Sequence, residues 1–134
     1  MVDPDRLLRL PLFGELDAHD LAHVARWIEE VHAVPGELLI EQDAMPYELF
    51  IIEEGSVDVV RDGEPLATLG AGDVVGEIAL MAQRRRMASV IARSDVRALA
   101  LSVDALQEIT AEMPELGGEL REMMDRRRAE NAGN

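Results

Sequence analysis

The chain predicts a mainly β domain with helices at both ends, and three observations carry that fold class. From Glu30 to about Val103 the apolar residues recur with a period of two, in short segments punctuated by glycine. Apolar residues at helical spacing bracket this region on both sides. Hydrophobic residues make up 48% of 134 positions and are spread along the whole chain, which suits one domain with a single core.

The first element is a short helical turn suggested by Leu7, Leu8, Leu10 and Leu12 and broken by Pro11. Asp17 then reads as an N-cap with Asp20 in an acidic first turn, and Leu21, Val24, Ala25 and Ile28 form the apolar stripe of a helix over 18–28. The β region follows. Its segments are Leu38–Ile40, Leu49–Ile52, Val57–Val60, Leu66–Leu69, Val90–Ala92 and Val96–Leu101, separated by Pro35-Gly36, Glu54-Gly55, Asp62-Gly63, Gly70 and Gly72. Many short strands with glycine-rich turns about every ten residues describe a sandwich, barrel or roll. Arg61-Asp62-Gly63-Glu64 is a hairpin turn, because Asp-Gly accepts the positive φ that tight turns require. Ser102 or Asp104 caps a helix carrying Leu106, Ile109 and Met113. Pro114 opens a last helix to about residue 129, with Leu116, Leu120, Met123 and Met124 on one side. Gly117-Gly118 weakens the start of that helix, so its position is expected to depend on a partner or ligand, with a frayed tail over 130–134.

Composition narrows the function. Cysteine is absent, which excludes a disulfide framework and thiolate metal sites. No apolar run approaches the ~20 residues of a membrane span, and the acidic, amphipathic start does not read as a secretory signal, so a cytoplasmic location without membrane insertion is expected. All 13 basic residues are arginines against 27 carboxylates, a formal net charge of -14 that repels nucleic acid over most of the surface. Six of those 13 arginines sit in two clusters, 84–86 and 126–128, so any bound anion should be small and locally held.

Residues 76–82, Gly-Glu-Ile-Ala-Leu-Met-Ala, place helical propensity inside the β region. A short helix there presents backbone N–H groups to an anion, and Gly76 leaves room for close approach. An arginine about ten residues on can return to the same point and pair through its planar fork. Glu77 beside an anion makes sense if its carboxylate accepts from a hydroxyl. The combination asks for a ligand with both a phosphate and a sugar hydroxyl.

Gly76-Glu77-Ile78-Ala79-Leu80, a spacer, then Arg86-Met87-Ala88-Ser89-Val90 resembles the phosphate-binding cassette of the cyclic nucleotide-binding domain family, whose pattern is Phe-Gly-Glu-Leu/Ile-Ala-Leu followed by Pro-Arg-x-Ala-x-Val. The Pro-Gly turn after an opening strand, the Ile52–Val57 Ile-x-x-Gly-x-Val step and Leu-Gly-x-Gly-Asp at 69–73 match as well, so the resemblance spans roughly residues 10–130. It implies an eight-stranded antiparallel β-roll (a jelly roll, or double-stranded β-helix) over 29–103, with a short helix inserted at 76–82. Helices within 5–28 and 104–129 flank the roll in one domain over 1–134. It further implies that Arg86 pairs with a cyclic phosphate, that Glu77 accepts from the ribose 2′-hydroxyl, and that the N–H groups of Ile78, Ala79 and Ala88 complete the cradle. The implied function is a non-enzymatic regulatory sensor of a cyclic nucleotide, cAMP before cGMP, whose C-terminal helices move on binding. No further cofactor is implied.

Three positions depart from the family pattern: Val75 replaces Phe, Arg85 replaces Pro, and Met87 replaces Ala, Ser or Thr. Met87 cannot donate a hydrogen bond, which argues against guanine and leaves a second reading open. In that reading the β-roll binds no nucleotide and serves as an interaction or dimerisation domain. Met123, Arg126 and Arg127 are candidates to cap the base, as last-helix residues do in the family. Met113, Met123 and Met124 also read as packing residues, and Arg126–Arg128 as complement to a helix dipole. A homodimer or an effector protein would engage the C-terminal helix. His19 and His23 stand i, i+4 without a third ligand and are expected to be exposed, and His32 alone near a strand does not make a cupin-like metal site.

Overall fold

The structure, a computed structural model, describes residues 2–76 and 85–132, the side chains of 127–132 excepted. Asp3 caps α1 (Pro4–Leu8) by accepting from the Asp5 N–H at 2.9 Å. The break expected at Pro11 comes earlier, because a residue before proline is pushed out of the helical region. Leu10 accordingly is extended (φ -97°, ψ 126°), and Pro11 instead opens a 3-10 turn, Pro11–Phe13. Asp17 caps α2 (Ala18–Ala25) through the Asp20 N–H at 2.8 Å. This helix stops short of the expected residue 28: Trp27 and Ile28 donate to Val24 and Ala25, i to i−3, tightening the last turn and delivering the chain to the first strand.

Eight strands follow: β1 (Glu29–Ala33), β2 (Leu38–Ile40), β3 (Glu48–Glu54), β4 (Val57–Arg61), β5 (Glu64–Leu69), β6 (Val74–Val75), β7 (Ser89–Ala92) and β8 (Val96–Ser102). They form two four-stranded antiparallel sheets, ordered β1-β8-β3-β6 and β2-β7-β4-β5. The Asp62-Gly63 hairpin turn takes the positive φ expected of it, 52° and 79°. Strand β6 is absent from the period-two segments of the sequence, because two valines are too few to show a period.

Strands β3 and β8 belong to two cores at once. Leu49 and Ile51 with Leu99 and Leu101 pack against the helices, together with Phe13, Leu21, Leu106 and Leu120. Phe50 and Ile52 with Ala98 and Ala100 face the other way, into the roll with Val57, Val75 and Val90. Alternation along a strand places successive side chains on opposite faces, and here both faces are apolar. The N-terminal layer is also fastened by charge. Arg6 of α1 holds Glu53 at 2.5 and 3.0 Å and Glu30 at 2.9 Å, bridging α1 to β3 and β1.

Ser102 caps α3 (Val103–Glu112), accepting from the Ala105 N–H at 3.0 Å. The last helix, α4 (Pro114–Ala132), runs past the expected end at residue 129 and into the tail expected to fray. Its Leu116, Leu120, Met123 and Met124 are buried in the helical core. The glycine pair has a role that propensity alone does not reveal. A Cβ on Gly117 would stand 2.8 Å from the Thr110 Cα, so glycine lets α4 cross α3 at close range; at Gly118 nothing lies within 4 Å. Gly118→Ala should therefore raise stability by up to about 1 kcal/mol, the helix-propensity gain. Gly117→Ala should lower it by about 1–3 kcal/mol through overpacking. Urea titration of both variants checks the contrast, and equal shifts of one sign would contradict it.

Candidate functional site

Three strand ends meet at one corner of the roll. Pairing of β6 with β3 in the register Phe50↔Val75 carries Gly76 to the beginning of β3, where Glu48 stands. The segment entering β7 is laid beside the loop after β2: Asp43 donates to the Arg86 carbonyl and Arg86 to the Ala44 carbonyl, each at 2.9 Å. Ser89 Oγ accepts from the Gln42 N–H at 2.9 Å and extends the same clamp. With its backbone held on both sides, Arg86 turns its side chain inward. Arg86 is 6% exposed, and among the described residues it is the one charged side chain in the buried set.

The guanidinium donates from Nη1 to the Gly76 carbonyl at 2.6 Å and from Nη2 to the Glu48 carbonyl. Residues ten apart in sequence are thus brought together, as the cassette spacing suggested. Gly76 sits at φ +88°, and a Cβ there would lie 2.6 Å from Arg86 Nη1 and 2.8 Å from Ile40 Cδ1. Both the backbone angle and the nearness of the guanidinium demand glycine. Arg85 points outward and donates to the Asp43 carbonyl at 3.0 Å. Of the arginine run, Arg86 is therefore the inward member and Arg85 a surface residue, while Arg84 lies outside the described residues.

Sequence reasoning missed Glu48. Its carbonyl holds Arg86, and its side chain shares the roll-facing row of β3 with Phe50 and Ile52. Burial, reinforced by Glu29 and opposed by Arg86, pushes its carboxyl above the usual carboxylate range. A glutamate in phase with the inward apolar residues of a strand was the signal that could have found it.

The other expected site residues fall as follows. Met87 is 40% exposed and Ala88 half-buried, both directly after Arg86. Glu77, Ile78 and Ala79, and the short helix expected over 76–82, lie outside the described residues beyond Gly76. Met123 sits in the helical core rather than the roll core. Arg126 makes a two-pronged pair with Glu15 at 2.7 and 3.0 Å, and this lowers the Glu15 carboxyl below its usual range. Arg127 lies in α4, its side chain outside the described set. His19 and His23 stack edge to face with ring centroids 5.0 Å apart, and no cluster of three metal-ligating side chains occurs among the described residues. No described helix is long and apolar enough to cross a membrane.

A buried arginine held by two backbone carbonyls beside a positive-φ glycine stands at the corner of an eight-stranded roll. The family described as "Cyclic nucleotide-binding domain" matches residues 30–113. The chain belongs to that family. This cyclic nucleotide-binding domain is 36% identical over 118 residues to an uncharacterized ABC transporter ATP-binding protein of Mycobacterium tuberculosis, covering 84% of this chain and 34% of that protein. The domain thus spans about a third of that relative's length. A solved structure from Geobacter metallireducens superposes with a TM-score of 0.86 at 21% identity, covering 96% of this chain and 97% of that one, a likeness of fold. The regulatory subunit of a cAMP-independent protein kinase A from Trypanosoma brucei superposes with a TM-score of 0.79 at 25% identity, covering 91% of this chain and 43% of that one.

Proposed function

We propose that this domain is a cytoplasmic, non-catalytic sensor that binds a cyclic nucleoside monophosphate, cAMP in preference to cGMP. The observation that carries the reading is Arg86, a permanent cation buried at the roll's corner and anchored by the Gly76 and Glu48 carbonyls. In this reading the Arg86 guanidinium meets the cyclic phosphate, and the N–H groups of Ile78, Ala79 and Ala88 add to the cradle. Glu77 accepts from the ribose 2′-hydroxyl. Met87, which has no donor to offer a guanine, sets the preference for adenine. Binding energy released in the roll shifts the helices that flank it, and an effector or a second copy reads that shift at α4. Met123, Arg126 and Arg127 cap the base once α4 has moved, with Arg126 exchanging Glu15 for the ligand.

Calorimetric titration of refolded, ligand-free protein with cAMP and then cGMP tests this. Micromolar or tighter cAMP binding, weaker cGMP binding, and a Glu77→Gln variant that loses more affinity for cAMP than for its 2′-deoxy analogue are the expected results. Equal losses for both nucleotides would remove the ribose role of Glu77.

A second reading has its own support: Met87 in place of a small or hydroxyl residue, and the likeness to a kinase regulatory subunit described as cAMP-independent. In that reading the roll binds no nucleotide and acts as an interaction or dimerisation domain. No heat with either nucleotide from a folded protein would favour it.

A further inference from the structure

We propose that Glu48 is an affinity-setting residue of the Arg86 corner, a carboxyl that opposes entry of an anionic ligand while ionised and yields when it takes up a proton from solvent. The inference rests on the nucleotide-binding reading and deepens it.

The placement comes from strand register. Glu48 pairs with Ser102 on β8, while Phe50 on β3 and Glu29 on β1 flank Ala100 of that same strand. Glu29, Ala100, Ser102, Glu48 and Phe50 therefore share the face of the sheet that lines the roll, since positions two apart point the same way. Arg86 approaches this face closely enough to donate to the Glu48 carbonyl. Glu48 is half-buried at the mouth of the roll. Half-buried Glu48 thus shares this face with the exposed Glu29, within electrostatic reach of both Glu29 and Arg86.

Among the described residues, the charged groups facing Glu48 are Glu29 from β1 and Arg86 from the segment entering β7, and their effects oppose each other. Ser102 opposite it on β8 and Val75 at the end of β6 carry no charge. Glu77 follows Gly76 outside the described residues, so its variant is run as a control. An anion bound at Arg86 offsets the charge that, among the described residues, favours ionised Glu48, and adds a repulsion of its own. Occupancy and ionisation of Glu48 therefore exclude each other in part, and ligand binding draws in a proton. A phosphodiester keeps its charge across the neutral range, so the pH dependence arises in the protein.

The sign in the absence of ligand follows from burial. The folded carboxyl binds its proton more tightly than the unfolded one. Stability therefore falls as pH rises through the window between the ordinary carboxylate value and the raised one, and ionised Glu48 is a standing cost at neutral pH.

The test compares wild type, Glu48→Gln and Glu77→Gln by calorimetric titration with cAMP at pH values of about 5.5 and 7.5, with thermal midpoints of the ligand-free proteins alongside. Glu48→Gln should bind about tenfold more tightly than wild type at the higher pH, the effect of one unit charge at close range in a partly solvated site. Wild type should gain several-fold on lowering the pH, Glu48→Gln should stay flat, and Glu77→Gln should keep the wild-type slope. The ligand-free Glu48→Gln midpoint should exceed wild type at the higher pH, and the gap should narrow on acidification. Equal affinities and slopes for wild type and Glu48→Gln would overturn the proposal and leave the nucleotide reading standing. Weaker binding by Glu48→Gln would instead make Glu48 a ligand contact, which also overturns it. If none of the folded proteins binds cAMP at either pH, the nucleotide reading fails and this inference fails with it.

Discussion

Replacing Arg86 by alanine should weaken cAMP binding at least ~100-fold, a loss of roughly 3 kcal/mol. The size follows from the kind of contact. A guanidinium offers a phosphate a charge-assisted, two-pronged hydrogen bond, and this one stands in a buried corner where water screens it little. The substitution has a second effect. Gly76 and Glu48 each lose the donor to their carbonyl, and a buried acceptor left unpaired costs about 1–3 kcal/mol. The measurement is therefore a titration accompanied by circular dichroism and a urea midpoint, so that a binding defect is not confused with unfolding. Arg86→Lys separates charge from shape. An ammonium keeps the charge but cannot reach two fixed carbonyls and a phosphate together, so an intermediate loss of about tenfold is expected. A folded Arg86→Ala protein with unchanged affinity would end the assignment of Arg86 as the phosphate ligand.

Gly55→Ala should produce the largest loss of stability of any methyl-sized change in the β region, about 3 kcal/mol or more, without touching the site. Gly55 lies at φ +92°, where an L side chain is strained. Its missing Cβ would fall well inside van der Waals contact of the Asp95 carbonyl oxygen and 2.9 Å from Ser94 Oγ. The obstacle is backbone and is itself tied down: Ser94 Oγ donates to the Asp95 carbonyl and accepts from the Ser56 N–H, each at 3.0 Å. Arg93 donates to the Ser56 carbonyl at 2.9 Å, closing the turn between β3 and β4 against the one between β7 and β8. Relief would have to open both. Chemical denaturation of Gly55→Ala beside Gly63→Ala, a positive-φ glycine with open space around it, separates the clash from the cost of the backbone angle alone. Equal losses in the two variants would refute the clash.

What was legible in the sequence was local. Asp17 and Ser102 are caps, and Asp62-Gly63 is a hairpin turn, because each acts on backbone groups within three residues of itself. The cassette was legible for the same reason, Gly76 and Arg86 being close in sequence and joined by a short excursion. What pairing at long range decides was not legible. The clamp on Arg86 joins residues 43 and 44 to residue 86, and nothing in either stretch names its partner. Glu48 became a site residue only because β3 pairs with β8 in a register that turns it into the roll. Gly117 reads in sequence only as a weak helix start, because its close approach to Thr110 of the neighbouring helix is set by packing. The early end of α2 and the onset of its 3-10 turn were missed because Ile28 keeps the helical spacing while its backbone has already changed.

The double membership of β3 and β8 has a further consequence. A partition with apolar side chains on both sides has no wet face to betray a slipped register, so size must replace polarity as the guard. Sliding β8 by one position would drive Leu99 and Leu101 into the roll, where Ala98 and Ala100 now leave room, and would leave alanine-sized gaps beneath the helices. The two compartments therefore share the packing of one wall. Their common wall is a natural slow-exchange center for backbone amides, because freeing its hydrogen bonds requires both cores to give way. Anything that tightens the roll is then registered in the amides of β3 and β8 as slower exchange, even where no helix has changed place.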